Sequence, residues 1–297
     1  MSLPQTEQVH DQAKGLDCLS GPEVLAVLLD AQIAAAKAVS AAIPDLVAAA
    51  DQMAQTIRAG RNLIYAAAGS SGLMALADGL EIPPTFGISN SRIKILRAGG
   101  LDEMQAPSGA AEDDTTIARE DASVIKPGDC VICLAASGNT PYPVAIMQIA
   151  RRVGAKTIGV ANNDGTLLIK GADFPVVLIT PPEVIAGSTR LGAATAQKIA
   201  LNMMSTLMGI RLGHVVDGLM VNVVADNAKV KKRANRIVMA LSGCSENEAA
   251  SNLLSADGSV KHAILLAMGA KDVSDAQIQL NLANQNLRSA MSALVPD

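Results

Sequence analysis

The sequence predicts an α/β fold, a three-layer αβα sandwich around a central parallel sheet, with a small helical bundle at the C-terminal end. Three observations predict it. Short continuous apolar runs such as 62–68 and 129–135 suit strands buried on both faces, and they alternate with segments of helical period. Two of those runs pass through turns rich in glycine and hydroxyls, Gly69-Ser70-Ser71-Gly72 and Ala136-Ser137-Gly138-Asn139-Thr140, straight into helices. Beyond about residue 240 the strands cease and capping boxes take over. The expected organisation is an N-terminal arm over 1–20, an α/β domain over 21–240 and a three-helix domain over 241–297.

The elements follow in order. Residues 1–19 are polar and irregular and read as an arm. Ser20, Pro22 and Glu23 form a capping-box start for a helix to about residue 41, and a second helix runs from about Pro44 to residue 59. The strand 62–68, the first hydroxyl turn and a nearly all-apolar helix come next, and that helix is expected to stop at Glu81, before Pro83 and Pro84. A strand over 92–98 and a loop over 101–114 lead to the second unit, where strand 129–135, the second turn and a helix over 141–153 repeat the pattern. Strands over 157–161 and 175–179 complete the sheet. A long turn, 181–190, then feeds a helix over 191–212 that Ser188 or Thr189 is expected to cap, and another helix is expected over 221–241. In the tail, Ser245 with Glu248 and Ser274 with Gln277 mark helix starts, and Gly258 and Gly269 mark stops.

Composition narrows the function. With 297 residues, 49% of them apolar, the chain can bury a large core. It has no Trp and only two Tyr and two Phe, so base stacking is excluded as a binding mode, and a net charge of −4 without a basic block argues against a nucleic-acid partner. The most apolar N-terminal stretch, 24–50, is broken by Asp30, Gln32, Lys37, Pro44 and Asp45, which argues against a membrane span, and no signal peptide precedes it. A soluble cytoplasmic protein is expected. Cys130 and Cys133 lie in a strand-like run without a nearby His and read as buried, reduced thiols. Lys229, Lys231, Lys232 and Arg233 read as the solvated face of a helix, and His10, His214 and His262 have no catalytic partner in view.

The two turns carry the chemistry. Ser70, Ser71, Ser137, Asn139 and Thr140 supply neutral donors beside helix N-termini, which suits an anionic group such as a phosphate monoester; tight packing of strand-to-helix turns is the simpler alternative. The Lys of a P-loop and the glycine spacing of a dinucleotide fingerprint are both missing, so nucleotides are disfavoured. Glu81, at the end of an apolar helix, is expected to hold its proton, whereas Glu112 opens the acidic run Glu112-Asp113-Asp114. Carboxylates in different surroundings suit paired acid and base roles, although acidic residues before a helix also serve simply to satisfy its dipole. Arg190 lies in a donor-rich turn, where an ordinary ion pair is equally compatible.

The segments G-S-S-G, A-D-G-L-E-I-P-P-T-F-G, G-A-A-E-D-D, A-A-S-G-N-T-P-Y and P-P-E-V-I-A-G-S-T-R-L resemble the N-acetylmuramic acid 6-phosphate etherases, a family with a sugar isomerase (SIS) domain that is related to the glucokinase regulatory protein. The resemblance covers nearly the whole chain. It implies cleavage of a D-lactyl ether by elimination and water addition, with Glu81 as acid and Glu112 as base. It also implies that Ser70, Ser71, Ser137, Asn139, Thr140, Glu183, Ser188, Thr189 and Arg190 contact a sugar phosphate. A homodimer with its site between subunits is implied, with no metal or organic cofactor. Two basic residues of the family pattern are replaced: its Gly-Thr-Ser-Gly-Arg is Gly69-Ser70-Ser71-Gly72-Leu73 here, and its Ser-Thr-Arg-Leu-Lys is Ser188-Thr189-Arg190-Leu191-Gly192. Leu80 stands where the family has Ser. A sugar-phosphate-binding regulator without turnover and an aldose-ketose isomerase are the alternative functions on the same fold.

Overall fold

The computed structural model describes residues 3–100, 109–223 and 228–294. Within these, the chain divides into two compact units, Met1–Gly79 with Ser91–Ser205, and Leu80–Asn90 with Thr206–Asp297.

The first unit holds a five-stranded parallel sheet in the order β2-β1-β3-β4-β5, built from β1 Leu63–Ala67, β2 Ile93–Arg97, β3 Cys130–Ala135, β4 Lys156–Ala161 and β5 Phe174–Val177. Every residue of β1 and β3 is buried, as their unbroken apolar runs require. Because side chains alternate across a strand, Ile64, Ala66, Val131 and Cys133 face one layer, where they pack with Tyr142, Ile146, Met147 and Ala150 of α5 (Pro141–Arg152) and with Leu168 of α6 (Leu167–Gly171). On this side α4 (Thr115–Asp121) is tied to α5 by the Tyr142 hydroxyl, which donates to Asp121 at 2.5 Å. The unit also holds α1 (Gly21–Ala38), α2 (Ile43–Arg58), the first part of α3 (Gly69–Phe86) and most of α7 (Gly192–Arg211). Taken together, Gly21–Arg58 is long and apolar enough to cross a membrane by length and composition alone, and 11% of its apolar window is buried; its second half, α2, buries Leu46, Ala49, Ala50, Met53 and Ala54 and packs on β1, β3 and β5. Glu23 accepts from the Ser20 amide at 2.8 Å, as the capping box predicts.

Helix α3 (Gly69–Phe86) is where sequence and structure first part. It does not stop at Glu81: Pro83 and Pro84 lie inside its last turn, and Gly87, at φ +61°, ends it. Proline's fixed φ is compatible with a helix, so the pair removes two donors without breaking the run, and the Gly87 amide still reaches the Pro83 carbonyl at 2.9 Å. Asp78, buried in α3, accepts from the Tyr65 hydroxyl at 2.7 Å, Asn202 Nδ2 at 2.7 Å and the Ser205 hydroxyl at 2.8 Å, so a single carboxylate joins α3, β1 and α7.

The second unit is helical apart from a hairpin. The Asn222 side chain donates to the Phe86 carbonyl at 2.8 Å, securing the end of α3. The helix expected over 221–241 begins only at Ala228 (α8, Ala228–Ser242), because Val215–Val216 (β6) and Leu219–Met220 (β7) pair antiparallel about Asp217-Gly218, both at positive φ. Asp-Gly between apolar pairs is a strong hairpin signal. Lys229, Lys231, Lys232 and Arg233 are exposed on α8, as expected. Among the described residues beyond α8 there are four helices where three were expected: α9 Glu246–Ser255, α10 Val260–Ala267, α11 Val273–Leu282 and α12 Leu287–Leu294. Ser245 and Glu248 form the predicted capping box, whereas α11 is capped by Asp272, whose charged oxygen takes the Asp275 amide at 2.8 Å, and not by Ser274. The expected boundary near residue 240 falls inside this unit.

Candidate active site

The strand order creates the site. After β2 the chain returns across β1 to form β3, so the connections leaving β1 and β3 diverge, and in open parallel sheets ligands bind in the crevice at that reversal. The two hydroxyl turns occupy it. Ala67 of β1 is in register with Leu134 of β3, so Gly69-Ser70-Ser71 and Ala136–Thr140 leave neighbouring strands at the same edge.

The second turn is internally braced. Ser137 Oγ and Thr140 Oγ1 lie 3.2 Å apart, the Asn139 amide donates to Ser137 Oγ at 3.2 Å, and Asn139 Oδ1 accepts from the Leu167 amide at 3.0 Å. Gly138 is at φ +71°, and a methyl group there would collide with the Thr166 side chain. A cleft of about 450 Å³ opens beside this turn, lined by Ser137, Asn139, Asn163 and Thr166, with Pro4 and Gln8 from the arm. Thr6 is buried there, and its hydroxyl accepts from Asn163 Nδ2 at 3.0 Å. The arm thus docks at the crevice, a placement its polar sequence does not reveal.

The acidic run divides its duties. Asp114 caps α4, accepting from the Thr116 and Ile117 amides at 2.7 and 3.0 Å. Asp113 is exposed. Glu112 ends a short 3-10 turn, Gly109–Glu112, half-buried and turned toward the first hydroxyl turn, where a Cβ built on Gly69 would lie 2.6 Å from its Oε1. Burial raises the Glu112 pKa, the Asp113 charge adds to the rise, and the Arg97 guanidinium opposes it. Arg97, at the C-terminal end of β2 and in register with Ala67, is the charged residue that sequence reasoning passed over. Its signal was present: a cation at the end of the Ile93-Lys94-Ile95-Leu96 run, just before Gly99-Gly100.

Other predicted residues are placed differently. Glu81 belongs to the second unit and is exposed, as is Leu80, so the desolvated position expected from its apolar neighbours is not found; helical periodicity puts both on the outer face of α3. Glu183 is buried and caps α7, accepting from the Gly192 and Ala193 amides at 2.8 and 2.9 Å. From the sequence that role is expected of Ser188 or Thr189, but the two oxygens of one carboxyl group satisfy two orphan amides at once. Ser188 and Thr189 are half-buried in the turn before α7, and Arg190 is exposed. Among the described residues no cluster of His, Cys, Asp and Glu suits a metal ion. Cys130 and Cys133 are free and buried, and burial pushes both thiols up, Cys130 to about 12.

The SIS domain pattern matches residues 100–210. The chain is 41% identical over 275 residues to the N-acetylmuramic acid 6-phosphate etherase of Deinococcus radiodurans, covering 91% of this chain and 90% of that one. It is 38% identical over 295 residues to the Mycolicibacterium smegmatis protein of the same name, covering 99% of each. The chain belongs to the N-acetylmuramic acid 6-phosphate etherase family. A phosphoheptose isomerase from Francisella tularensis shares its fold, with a TM-score of 0.52 and 16% identity over 65% of this chain and 100% of that one.

Proposed function

We propose that the chain cleaves the D-lactyl ether of N-acetylmuramic acid 6-phosphate to N-acetylglucosamine 6-phosphate and D-lactate, as a lyase of cell-wall amino-sugar breakdown in the cytoplasm. The observation that carries this reading is the half-buried Glu112 beside two hydroxyl turns at the sheet reversal, in a chain 41% identical to a named etherase. Ser70, Ser71, Ser137, Asn139 and Thr140, with the N-termini of α3 and α5, receive the phosphate. Glu112 takes the C2 proton of the open-chain sugar, where the aldehyde makes that proton acidic. The C3–oxygen bond breaks as Glu81 gives its proton to the departing lactate oxygen. Water then adds across the unsaturated aldehyde, placing hydroxyl at C3 and a proton at C2. A base with a raised pKa is better matched to abstraction near neutral pH than an ordinary carboxylate.

The reading includes a homodimer in which a second copy covers exposed apolar side chains. Leu25, Leu29 and Ile33 form an i, i+4, i+8 stripe on α1, exposed at 66%, 60% and 43%. Incubation with N-acetylmuramic acid 6-phosphate and an enzymatic assay for D-lactate tests the activity, and folded protein that releases none overturns it. Light scattering tests the assembly, with Leu29→Asp expected to yield monomer.

A further inference from the structure

Arg97 is 4% exposed, yet it forms no ion pair among the described residues. Its Nη1 donates to the Ala98 carbonyl at 3.3 Å and the Gly100 carbonyl at 3.0 Å, while its buried Nε has no hydrogen-bond partner. The Glu112 carboxylate is near enough to feel its charge without forming a direct ion pair with it, and a buried donor left without a partner is costly. The side chain runs beneath the first turn of α3: a Cβ on Gly72 would lie 3.2 Å from Arg97 Cγ and 3.5 Å from Nε. Gly72 is the residue before Leu73, where this chain lacks the arginine of the etherase pattern. The first turn of an 18-residue helix thus carries its own opening amides and the hydroxyls of Ser70 and Ser71, and an unsatisfied buried Nε–H packs against it at Gly72.

We propose that Arg97 is a substrate-binding residue that supplies the positive charge of the first turn, reaching it from β2 in place of an arginine at position 73, and that it pairs with an anionic oxygen of the substrate. This rests on the etherase reading, whose substrate carries two such groups, a phosphate and a lactyl carboxylate. Glu112, which packs against Gly69 of the same turn, keeps Arg97 from being a general anion trap, because only a ligand that fits beside that carboxylate gains the contact.

The experiment is calorimetric titration of the full chain with N-acetylglucosamine 6-phosphate, which has only the phosphate, and with N-acetylmuramic acid, which has only the carboxylate. Wild type is compared with Arg97→Met, Arg97→Lys and the double variant Arg97→Met/Leu73→Arg. Arg97→Met is expected to lose about 10- to 100-fold in affinity for one of the two ligands, the magnitude of a charge-assisted hydrogen bond, and the ligand that suffers names the anion. Arg97→Lys keeps part of that affinity, and the double variant recovers most of it by restoring the charge from α3. Unchanged affinity for both ligands in Arg97→Met overturns the proposal. So does a loss that the double variant fails to recover while thermal unfolding of both proteins shifts down together, since that is the behaviour of a loop tether. Binding is read without turnover, so an Arg97-dependent affinity in a protein that releases no lactate would sink the etherase reading and leave this one standing.

Discussion

Glu112 lies so close to Gly69 that a methyl group at position 69 would stand 2.6 Å from its Oε1, at a backbone φ of +51°. The glycine opening the first turn therefore has two reasons to be glycine, the left-handed backbone and the carboxylate packed on it. Gly69→Ala is expected to cost about 1–2 kcal/mol in stability from the backbone alone. Turnover should fall further than stability, because Glu112 must swing away. Thermal unfolding and kcat/KM measured on the same preparation check both, and wild-type activity in a folded variant would separate Glu112 from the reaction.

Glu112→Gln should lower kcat by about 10²- to 10⁴-fold, the usual worth of a positioned base, without loss of fold. The raised pKa sets the sign of the pH dependence. The base must be ionised, so activity is lost as pH falls through a value above the ordinary 4.5 for glutamate. Arg97 opposes that rise, so Arg97→Met should move the acid limb of the kcat/KM profile upward. A limb that moves down would contradict the electrostatics.

The same shift bears on folding. A carboxyl whose folded pKa is raised contributes stability at low pH that is lost as pH rises through the folded value. Glu112→Gln is thus expected to unfold at an equal or higher temperature than wild type at pH 8, with any advantage shrinking below pH 4.5.

Glu183 offers a test between capping and substrate contact. As the buried cap of two α7 amides, its replacement by Ala should cost about 2 kcal/mol, seen as a lowered denaturation midpoint. Activity in the remaining folded fraction tells whether the carboxylate also meets the sugar.

Ser137→Ala removes the hydroxyl that takes the Asn139 amide and faces Thr140. On the proposal that this turn receives the phosphate and not the reacting carbons, KM is expected to rise by up to about tenfold with a smaller change in kcat. A kcat effect alone would place Ser137 nearer the chemistry.

The strands, the two hydroxyl turns and the capping box at Ser245 were legible because each is written in a few consecutive residues, as an apolar run, a cluster of small donors or a serine three places before a glutamate. Where local signs competed, the reading failed. Pro83-Pro84 looked like a stop, but the helix continues to the glycine at 87, and Asp217-Gly218 was overlooked inside an apolar stretch that makes a hairpin. The cap of α7 comes from Glu183, nine residues upstream, beyond the span over which capping rules operate.

By itself the sequence determined the sheet class, the positions of both hydroxyl turns and, through motifs running the length of the chain, the family. Tertiary structure alone decided that Asp114 caps while Glu112 turns to the site, that the arm is pinned through Thr6 and Asn163, and that Arg97 passes under Gly72. The reason is non-local pairing. Registering Ala67 with Arg97 on one side and with Leu134 on the other brings residues far apart in sequence to one edge of the sheet, and no periodicity within a segment encodes which strand lies beside which.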